Sequence, residues 1–295
     1  MRILVTGASG QLARSLAALD ESQPGLAIVV HGRPELDLEN PDIIGSLISH
    51  VRPDVVVNAA AYTAVDAAER DNTRAFAVNA AGAGAVAAAA AAVGLPVIHI
   101  STDYVFAGGE VRPYREDDPT GPRTVYGRSK LAGETAVAAA NPDHAILRTA
   151  WLYSPYGSNF VKTMLRLAGD RDTIKVVDDQ HGNPTYVPDL AEAILRIAKR
   201  MLDAPGDPSL RGVFHVVAPD SATWCDFARE IMALSGLSGG PAATIIPITT
   251  AEYPTPAERP RNSRLDCGKA QAAFGVELPR RAGSLHKCLN QILTG

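Results

Sequence analysis

Tyr126 and Lys130 stand four residues apart in Val125-Tyr126-Gly127-Arg128-Ser129-Lys130. On a helix, an i,i+4 pair projects from one face. A phenol beside an ammonium works as one acid–base device, the cation easing loss of the phenol's proton. Far upstream, Thr6-Gly7-Ala8-Ser9-Gly10 follows the apolar run Arg2–Val5 and leads into Gln11-Leu12-Ala13. Gly7 permits a tight turn, and Gly10 lets the backbone approach a pyrophosphate at a helix N-terminus, where free N–H groups and the dipole favour anions. Ala13, in the third position, still lets the helix lie close to its strand. This order of strand, glycines and helix is the context that separates a dinucleotide site from a plain turn. Taken together, the two motifs point to a carbonyl reduced by a nicotinamide dinucleotide with Tyr126 as proton donor.

The elements that must position these groups are legible as an alternation. Ile3–Val5, Ala27–Val30, Val55–Asn58, Val97–Ile100 and His144–Leu147 are compact apolar runs, the mark of strands covered on both faces of a parallel sheet. Between them Gln11–Leu19, Pro41–His50, Arg74–Val93 and Val125–Ala140 read as helices, with Pro41 at a helix start and Gly94 and Pro96 after a helix end. Repeated βα units imply a Rossmann-type, doubly wound parallel α/β sheet with right-handed crossovers. Beyond Ala150 the pattern loosens. Ile174–Val177 and Val213–Val217 read as strands, Asp189–Met201 as an amphipathic helix, Ala204–Pro208 as a turn-rich break and Pro247–Pro260 as an ordered loop. The expected organisation is a dinucleotide-binding domain over 1–153, completed by 176–218. A smaller, partly interleaved α/β substrate lobe takes 154–175 and 219–295.

Composition narrows the function classes. The chain is 46% apolar and 20% charged with a net charge of −4, so the basic excess of a nucleic-acid binder is missing. Cys225, Cys267 and Cys288 are far apart and match no metal spacing, which predicts reduced structural thiols and a cytoplasmic setting. Ala80–Ile98 carries no charge and has spanning length. Its alanines, with Gly82, Gly84, Gly94 and Pro96, lack the Leu/Ile/Phe content that drives insertion, so it reads as a packed helix followed by a strand, with no membrane role.

Further candidates cluster where strands end. His31-Gly32-Arg33 closes the second strand with no acidic residue to read an adenosine ribose. Arg33 can pair with a 2′-phosphate instead, which favours NADPH and leaves NADH as the alternative. Asp37 and Leu38 follow, beside the adenine. Asn58-Ala59-Ala60-Ala61-Tyr62-Thr63 ends the third strand with small side chains that leave room for a cofactor. Ser101-Thr102-Asp103 ends the next, at the edge where open α/β sheets bind ligands. Other tempting residues have plainer readings: His99 as a hydrogen-bonded core histidine, Trp224 and Phe227 as core at helical spacing, Asp178-Asp179 as a turn. His181 is open between solvent and pocket lining.

The segments GASGQLA, RPDVVVNAAAYTAVDAAE, STDYVFAG, VYGRSKLAGE, RTAWLY, NFVKTMLRLA, DDQHGNPTYVPDLA, FHVVAPDSATWCDFARE and YPTPAERPRNSRLD resemble the dTDP-4-dehydrorhamnose reductases of the extended short-chain dehydrogenase/reductase superfamily, over nearly the whole chain. STDYVF, RTAWLY and RPRNSRLD are the parts specific to that branch. The resemblance implies Tyr126 as proton donor, Lys130 as partner of Tyr126 and the nicotinamide ribose, and Thr102 as the carbonyl-side hydroxyl. It assigns Gly10, Gln11 and Leu12 to the pyrophosphate, and Ala61, Tyr62 and Thr63 to the cofactor edge. Asp103, Trp151, Arg259, Asn262 and Ser263 go to the nucleotide-sugar substrate. The implied reaction is NADPH-dependent reduction of a C4 ketone. The alternatives are a reductase or epimerase of another 4-keto sugar, and a non-catalytic NADP-binding regulatory subunit. Some relatives hold magnesium at a dimer contact through acidic residues. Ser15 and Pro188 stand in the corresponding places here, so the resemblance carries over neither the metal nor that dimer, and a monomer or weak homodimer is expected.

Overall fold

Valine and isoleucine alternate faces along each strand, and the two sets bury into two different layers. In the computed structural model, which describes residues 1–20 and 24–294, Ile3, Val5, Val55 and Val57 enter one core while Leu4 and Val56 enter another. A period of two forces this division, because neighbouring side chains leave a strand on opposite faces. The central strands are β1 (Arg2–Thr6), β2 (Ala27–His31), β3 (Val55–Asn58), β4 (Val97–Thr102), β5 (His144–Thr149) and, far along the chain, Gly212–His215. They form a six-stranded sheet, parallel at every pairing, with β1 between β2 and β3 and with Gly212–His215 on the far edge beside β5.

Helices cover both faces. α1 (Gln11–Asp20) lies on one. α2 (Ile44–Val51), α5 (Ala83–Ala91) and α6 (Val125–Ala140) lie on the other, with short helices α3 (Val65–Ala68) and α4 (Asn72–Phe76) at its rim. The strand pair β6 (Leu152–Tyr153) and β9 (Thr185–Tyr186) leads into α8 (Val187–Asp203), which packs on α1. α8 has Pro188 in its first turn and an apolar face running from Val187 to Met201. The Asn72–Ala91 run is long and apolar enough to cross a membrane by length and composition alone. Its Ala83, Val86, Ala87 and Ala90 are packed in the core, and a Cβ on Gly84 would stand 3.0 Å from the Ala136 methyl of α6. Small residues there set how closely the two helices approach.

The remaining elements build a second apolar cluster. α7 (Phe160–Asp170), β7 (Thr173–Val177), α9 (Trp224–Leu237), β12 (Thr244–Ile248) and α11 (Arg281–Thr294) contribute Val161, Leu165, Ile174, Val176, Phe227, Ile231, Ile245 and Leu285 to it. The short pair β8 (His181–Gly182) and β11 (Ala222–Thr223) lies at its margin. The edge strand Gly212–His215 is β10, and α10 (Gly268–Phe274) packs beside it.

Three expectations change. Residues 176–177, assigned to the dinucleotide-binding half, lie in β7, which pairs parallel with β12 outside the central sheet. Pro247, expected in a loop, is part of β12, and a short 3-10 turn follows over Thr250–Glu252 before the irregular stretch. The helix expected over Arg74–Val93 starts at Asn72, ends at Ala91 and carries a π-helical turn over Ala77–Gly82. That turn belongs to a contact no periodicity shows: a Cβ on Gly133 of α6 would lie 2.0 Å from the Asn79 carbonyl oxygen. The domain limits cross residues 21–23 and end at 295, which are outside the described residues.

Replacing Gly133 by Ala should therefore lower the unfolding free energy by about 1–3 kcal/mol, the usual penalty for overpacking. Gly283→Ala, in a helical turn with nothing within 4 Å of its added methyl, should be neutral or stabilising by a few tenths of a kcal/mol to about 1. Denaturant midpoints at constant m-value make the comparison.

Candidate active site

The C-terminal ends of β1, β3 and β4 converge on one edge, and α6 delivers its side chains to the same place. Thr124 caps α6 by accepting the Gly127 N–H at 3.0 Å, and Glu69 of the β3–α4 region accepts the Val125 N–H at 2.8 Å. A Cβ on Gly127 would meet the Tyr104 carbonyl oxygen at 2.2 Å. Glycine thus lets the first turn of α6 lie against the segment that follows β4. This seats Tyr126 edge-on to the Tyr104 ring, centroids 5.6 Å apart.

The hydroxyls and carboxyl expected at the carbonyl site do meet. Burial pushes the Tyr126 phenol up to about 12, opposed by the neighbouring Thr102 hydroxyl and reinforced by the Asp103 charge. The Thr102 hydroxyl donates to Asp103 Oδ1 at 2.9 Å. Burial raises the Asp103 carboxyl to about 6, opposed by the neighbouring Ser263 and Thr102 hydroxyls. Its Oδ2 is buried with no partner among the described residues. Ser263 is held by the His181 carbonyl, which accepts its N–H at 2.8 Å, while the His181 residue is exposed. Thr102, Asp103, Tyr126 and Ser263 thus form one group drawn from three distant segments.

Lys130 differs from expectation. It is 2% exposed, and its Nζ donates to the Ile100 carbonyl at 2.6 Å and lies 3.3 Å from His99 Nε2. Burial lowers the ammonium to about 8, opposed by the Glu134 charge. The ammonium is turned toward the β4 backbone, and the groups that shift the Tyr126 phenol are its burial, Thr102 and Asp103, with no contribution from Lys130. Behind it, Glu134 accepts two bonds from Arg148 at 2.9 and 2.7 Å and one from Ser101 at 2.5 Å.

On the cofactor side, the residues present fit a dinucleotide. Gly7 has φ +90°, and a Cβ there would stand 2.9 Å from Ala60 Cα. Its N–H donates to the His31 carbonyl, which ties the glycine turn to the end of β2. Gly10 and Leu12 place the start of α1 at the same edge, and the Gln11 side chain accepts from Ser154 at 2.7 Å and Asn159 at 3.0 Å. Arg33 is exposed beyond β2 and makes no side-chain hydrogen bond or ion pair among the described residues. Asp37 accepts the Glu39 N–H, and a Cβ on Gly82 would meet the Leu38 carbonyl at 2.6 Å. Ala61, Tyr62 and Thr63 line the exit of β3. They are clamped by Asn79, whose amide accepts the Tyr62 N–H at 2.8 Å and donates to the Tyr62 carbonyl at 3.1 Å and to Ser129 at 2.9 Å. Sequence reasoning missed Asn79, and only its place in a π-turn marks it, since such turns favour functional sites.

The remaining sugar-side residues divide. Arg259 binds Asp66 at 2.7 Å and keeps Nη1 buried with no partner among the described residues. Asn262 is committed elsewhere: its amide nitrogen donates to the Glu110 and Arg112 carbonyls, both at 2.8 Å, and its oxygen accepts from Arg264. It anchors the 110–112 loop. Trp151 has φ +49° and stacks on Trp224 at 3.4 Å with rings 2° apart, so Trp224, expected as plain core, is partly exposed and carries Trp151. Phe227 is core. Asp178 and Asp179 accept bonds from Thr223 and Thr250, as turn carboxylates do. The Ser15 hydroxyl donates to the Gln11 carbonyl, and Asp189, after Pro188, accepts from Ser284. No group of three or more His, Cys, Asp or Glu able to hold a metal occurs among the described residues.

A parallel sheet with a glycine turn after β1, and a Tyr–Lys helix facing a threonine at the end of β4, define a nicotinamide-dependent oxidoreductase of the short-chain dehydrogenase/reductase type. The chain belongs to the family described as RmlD substrate binding domain, whose profile matches residues 1–294. It is 50% identical over 279 residues to the dTDP-4-dehydrorhamnose reductase of Sinorhizobium fredii, covering 95% of this chain and 93% of that protein. A dTDP-4-dehydrorhamnose reductase crystal structure from Clostridium acetobutylicum aligns with TM-score 0.91 at 37% identity, over 99% of this chain and 100% of that one. Another from Bacillus anthracis, in complex with NADP, aligns at 0.89 and 35%, over 97% and 98%.

Asp103 also shapes stability. A carboxyl raised from 3.8 to about 6 in the folded state holds a proton that the unfolded chain has already released, so stability falls as pH climbs between those values. Asp103→Asn should remove that slope. At pH 7 the variant should be more stable than wild type by on the order of 3 kcal/mol, with the difference vanishing below about pH 4; urea titrations across pH measure it.

Proposed function

We propose that this protein reduces the C4 ketone of dTDP-4-dehydro-β-L-rhamnose with NADPH, yielding dTDP-β-L-rhamnose, the last step in making that nucleotide sugar. The observation that carries the reading is the gathering of Tyr126, Thr102, Asp103 and Ser263 at the end of β4, where the Thr102 hydroxyl donates to Asp103 and the buried Tyr126 phenol holds its proton. The nicotinamide supplies the hydride to the carbonyl carbon. Tyr126 gives its proton to the carbonyl oxygen, and a phenol raised to about 12 is fully protonated at neutral pH, as a donor must be. Thr102 aligns that oxygen with the phenol. Lys130, charged below about pH 8, stabilises the tyrosinate left behind and holds the nicotinamide ribose.

Placement in the fold supports the following contacts. Gly7, Gly10, Gln11 and Leu12 take the pyrophosphate at the α1 N-terminus; Asp37 and Leu38 lie by the adenine, and Ala61, Tyr62 and Thr63 along the cofactor edge. Arg33, exposed and without an internal partner among the described residues, is available to a 2′-phosphate, which supports NADPH over NADH. Asp103, Trp151, Arg259 and Ser263 face the nucleotide sugar, and Asn262 serves it through the loop it anchors. The division of labour assigns 1–153 with α8 and β10 to the dinucleotide, and 154–175 with 219–295 to the substrate. Three free cysteines suit a reducing cytoplasm.

Stoichiometric oxidation of NADPH on addition of dTDP-4-dehydrorhamnose is the expected result. Product formed without cofactor turnover would replace the reading with an epimerase. Tyr126→Phe should lose roughly 10²–10⁴-fold in kcat while the Kd for NADPH stays near that of wild type; near-normal kcat removes Tyr126 from the donor role. Arg33→Ala should lower kcat/KM for NADPH and leave that for NADH almost unchanged, and equal losses with both cofactors would refute the phosphate contact.

A further inference from the structure

Behind Lys130 runs a buried polar chain that the reaction as described does not use. His99 is fully buried in β4, with Nε2 3.3 Å from Lys130 Nζ and Nδ1 3.1 Å from the Asn58 amide nitrogen. Asn58, also fully buried, has its Oδ1 2.7 Å from the Thr6 hydroxyl, and Thr6 Oγ1 accepts the Ala60 N–H at 3.1 Å. The chain thus connects the catalytic lysine to the strand that carries the glycine turn.

An imidazole and an amide each offer a donor on one side and an acceptor on the other. The chain therefore has two self-consistent arrangements. With the Asn58 Nδ2 toward His99, Nδ1 accepts and Nε2 carries the ring proton, which suits an uncharged amine on Lys130. With the amide turned over, Nδ1–H donates to Asn58 Oδ1, Nε2 accepts from a Lys130 ammonium, and Thr6 accepts the amide N–H. Both give each His99 ring nitrogen a complementary partner, and unsatisfied members of a buried network are costly; in the second, the Thr6 hydroxyl accepts from the Asn58 amide and gives up Asn58 Oδ1 as its own acceptor. The imidazole itself stays neutral, because burial, then the Lys130 and His144 charges, depress its protonation. Other charged groups facing this cluster are Glu134 on α6, which favours the ammonium, and Arg148 on β5, which is bonded to Glu134.

We propose that Thr6, Asn58 and His99 form a two-state holder for Lys130, in which the lysine's charge selects the His99 tautomer and His99 acts as a positioning residue for Lys130 in either state. The proposal deepens the reductase reading and rests on it for the importance of Lys130.

The test uses full-length protein labelled with ¹⁵N-histidine, with the His99 signals identified by their loss in His99→Gln. His99 should be the Nδ1–H tautomer at neutral pH and pass to Nε2–H as pH rises through about 8. In Lys130→Met the tautomer should not change over that range. An unchanging tautomer in wild type, a switch that survives in Lys130→Met, or an imidazolium at neutral pH overturns the proposal. This measurement needs no substrate, so it stands apart from whether NADPH is consumed with the 4-keto sugar. In turnover assays, His99→Gln, whose Oε1 can accept from the ammonium, should keep kcat within about threefold of wild type. His99→Leu should lose about tenfold or more and shift the alkaline limb of the kcat profile. Folded variants with identical alkaline limbs would also overturn it.

Discussion

An ammonium removed from water inside a sheet has to be held by its surroundings, and the geometry of this site follows from how Lys130 is held. Taking such an ion out of water costs several kcal/mol even after relaxation. Here the Ile100 carbonyl accepts from Nζ at 2.6 Å, and the Glu134 charge one turn along α6 favours the charged form. Glu134 is in turn bound to Arg148 and Ser101, so a lysine, a carboxylate and a guanidinium are buried together under β4 and β5. Such a seam works only if α6 lies close to its neighbours. Gly127 and Gly133 permit that approach, since a side chain at either would strike a carbonyl oxygen.

The same closeness sets the acid–base character of the site. An exposed Tyr–Lys pair would have a phenol that loses its proton more readily than usual. In this protein burial dominates, the phenol rises to about 12 and the ammonium falls to about 8. Burial disfavours the charged form of each, a tyrosinate on one side and an ammonium on the other. At neutral pH the phenol therefore holds its proton, while the ammonium is held by the Ile100 carbonyl. Asp103, raised to about 6 with one oxygen unpartnered among the described residues, is a further group whose folded environment is costly in isolation. Stored cost of this kind is what the usual exchange of stability for function leaves in a fold.

The two clusters of the chain are tied together beside the C-terminal edge of the central sheet by a few polar links. Gln11 of α1 holds Ser154 and Asn159, Arg259 reaches Asp66, and Ser263 is held by the His181 carbonyl beside Asp103. Asn159 also caps α7 through the Lys162 N–H, so the first helix of the second cluster starts from the dinucleotide turn. The Trp151–Trp224 stack closes the same side, with Trp151 pressed against Gly182 and in a left-handed backbone conformation that bulky residues adopt only when their surroundings hold them there.

What the sequence alone determined was local. The strands from Ile3 to Leu147, the glycine turn, the span of α6 and the face shared by Tyr126 and Lys130 follow from periods of 2 and 3.6 and from residues within a few positions of one another. Thr102 and Asp103 were legible because a strand's end in a parallel sheet is itself a place where ligands bind. Tertiary structure decided whatever depends on partners far along the chain. It paired β7 with β12, committed Asn262 to the 110–112 loop, set the π-turn at Asn79 against Gly133, stacked Trp224 on Trp151 and put His99 behind Lys130. Periodicity reports which face of an element is buried and is silent about which buried polar atoms meet. In a close-packed interior that meeting is fixed by distances of a few tenths of an ångström between segments, and the working direction of Lys130, toward Ile100 and His99, was settled at that scale.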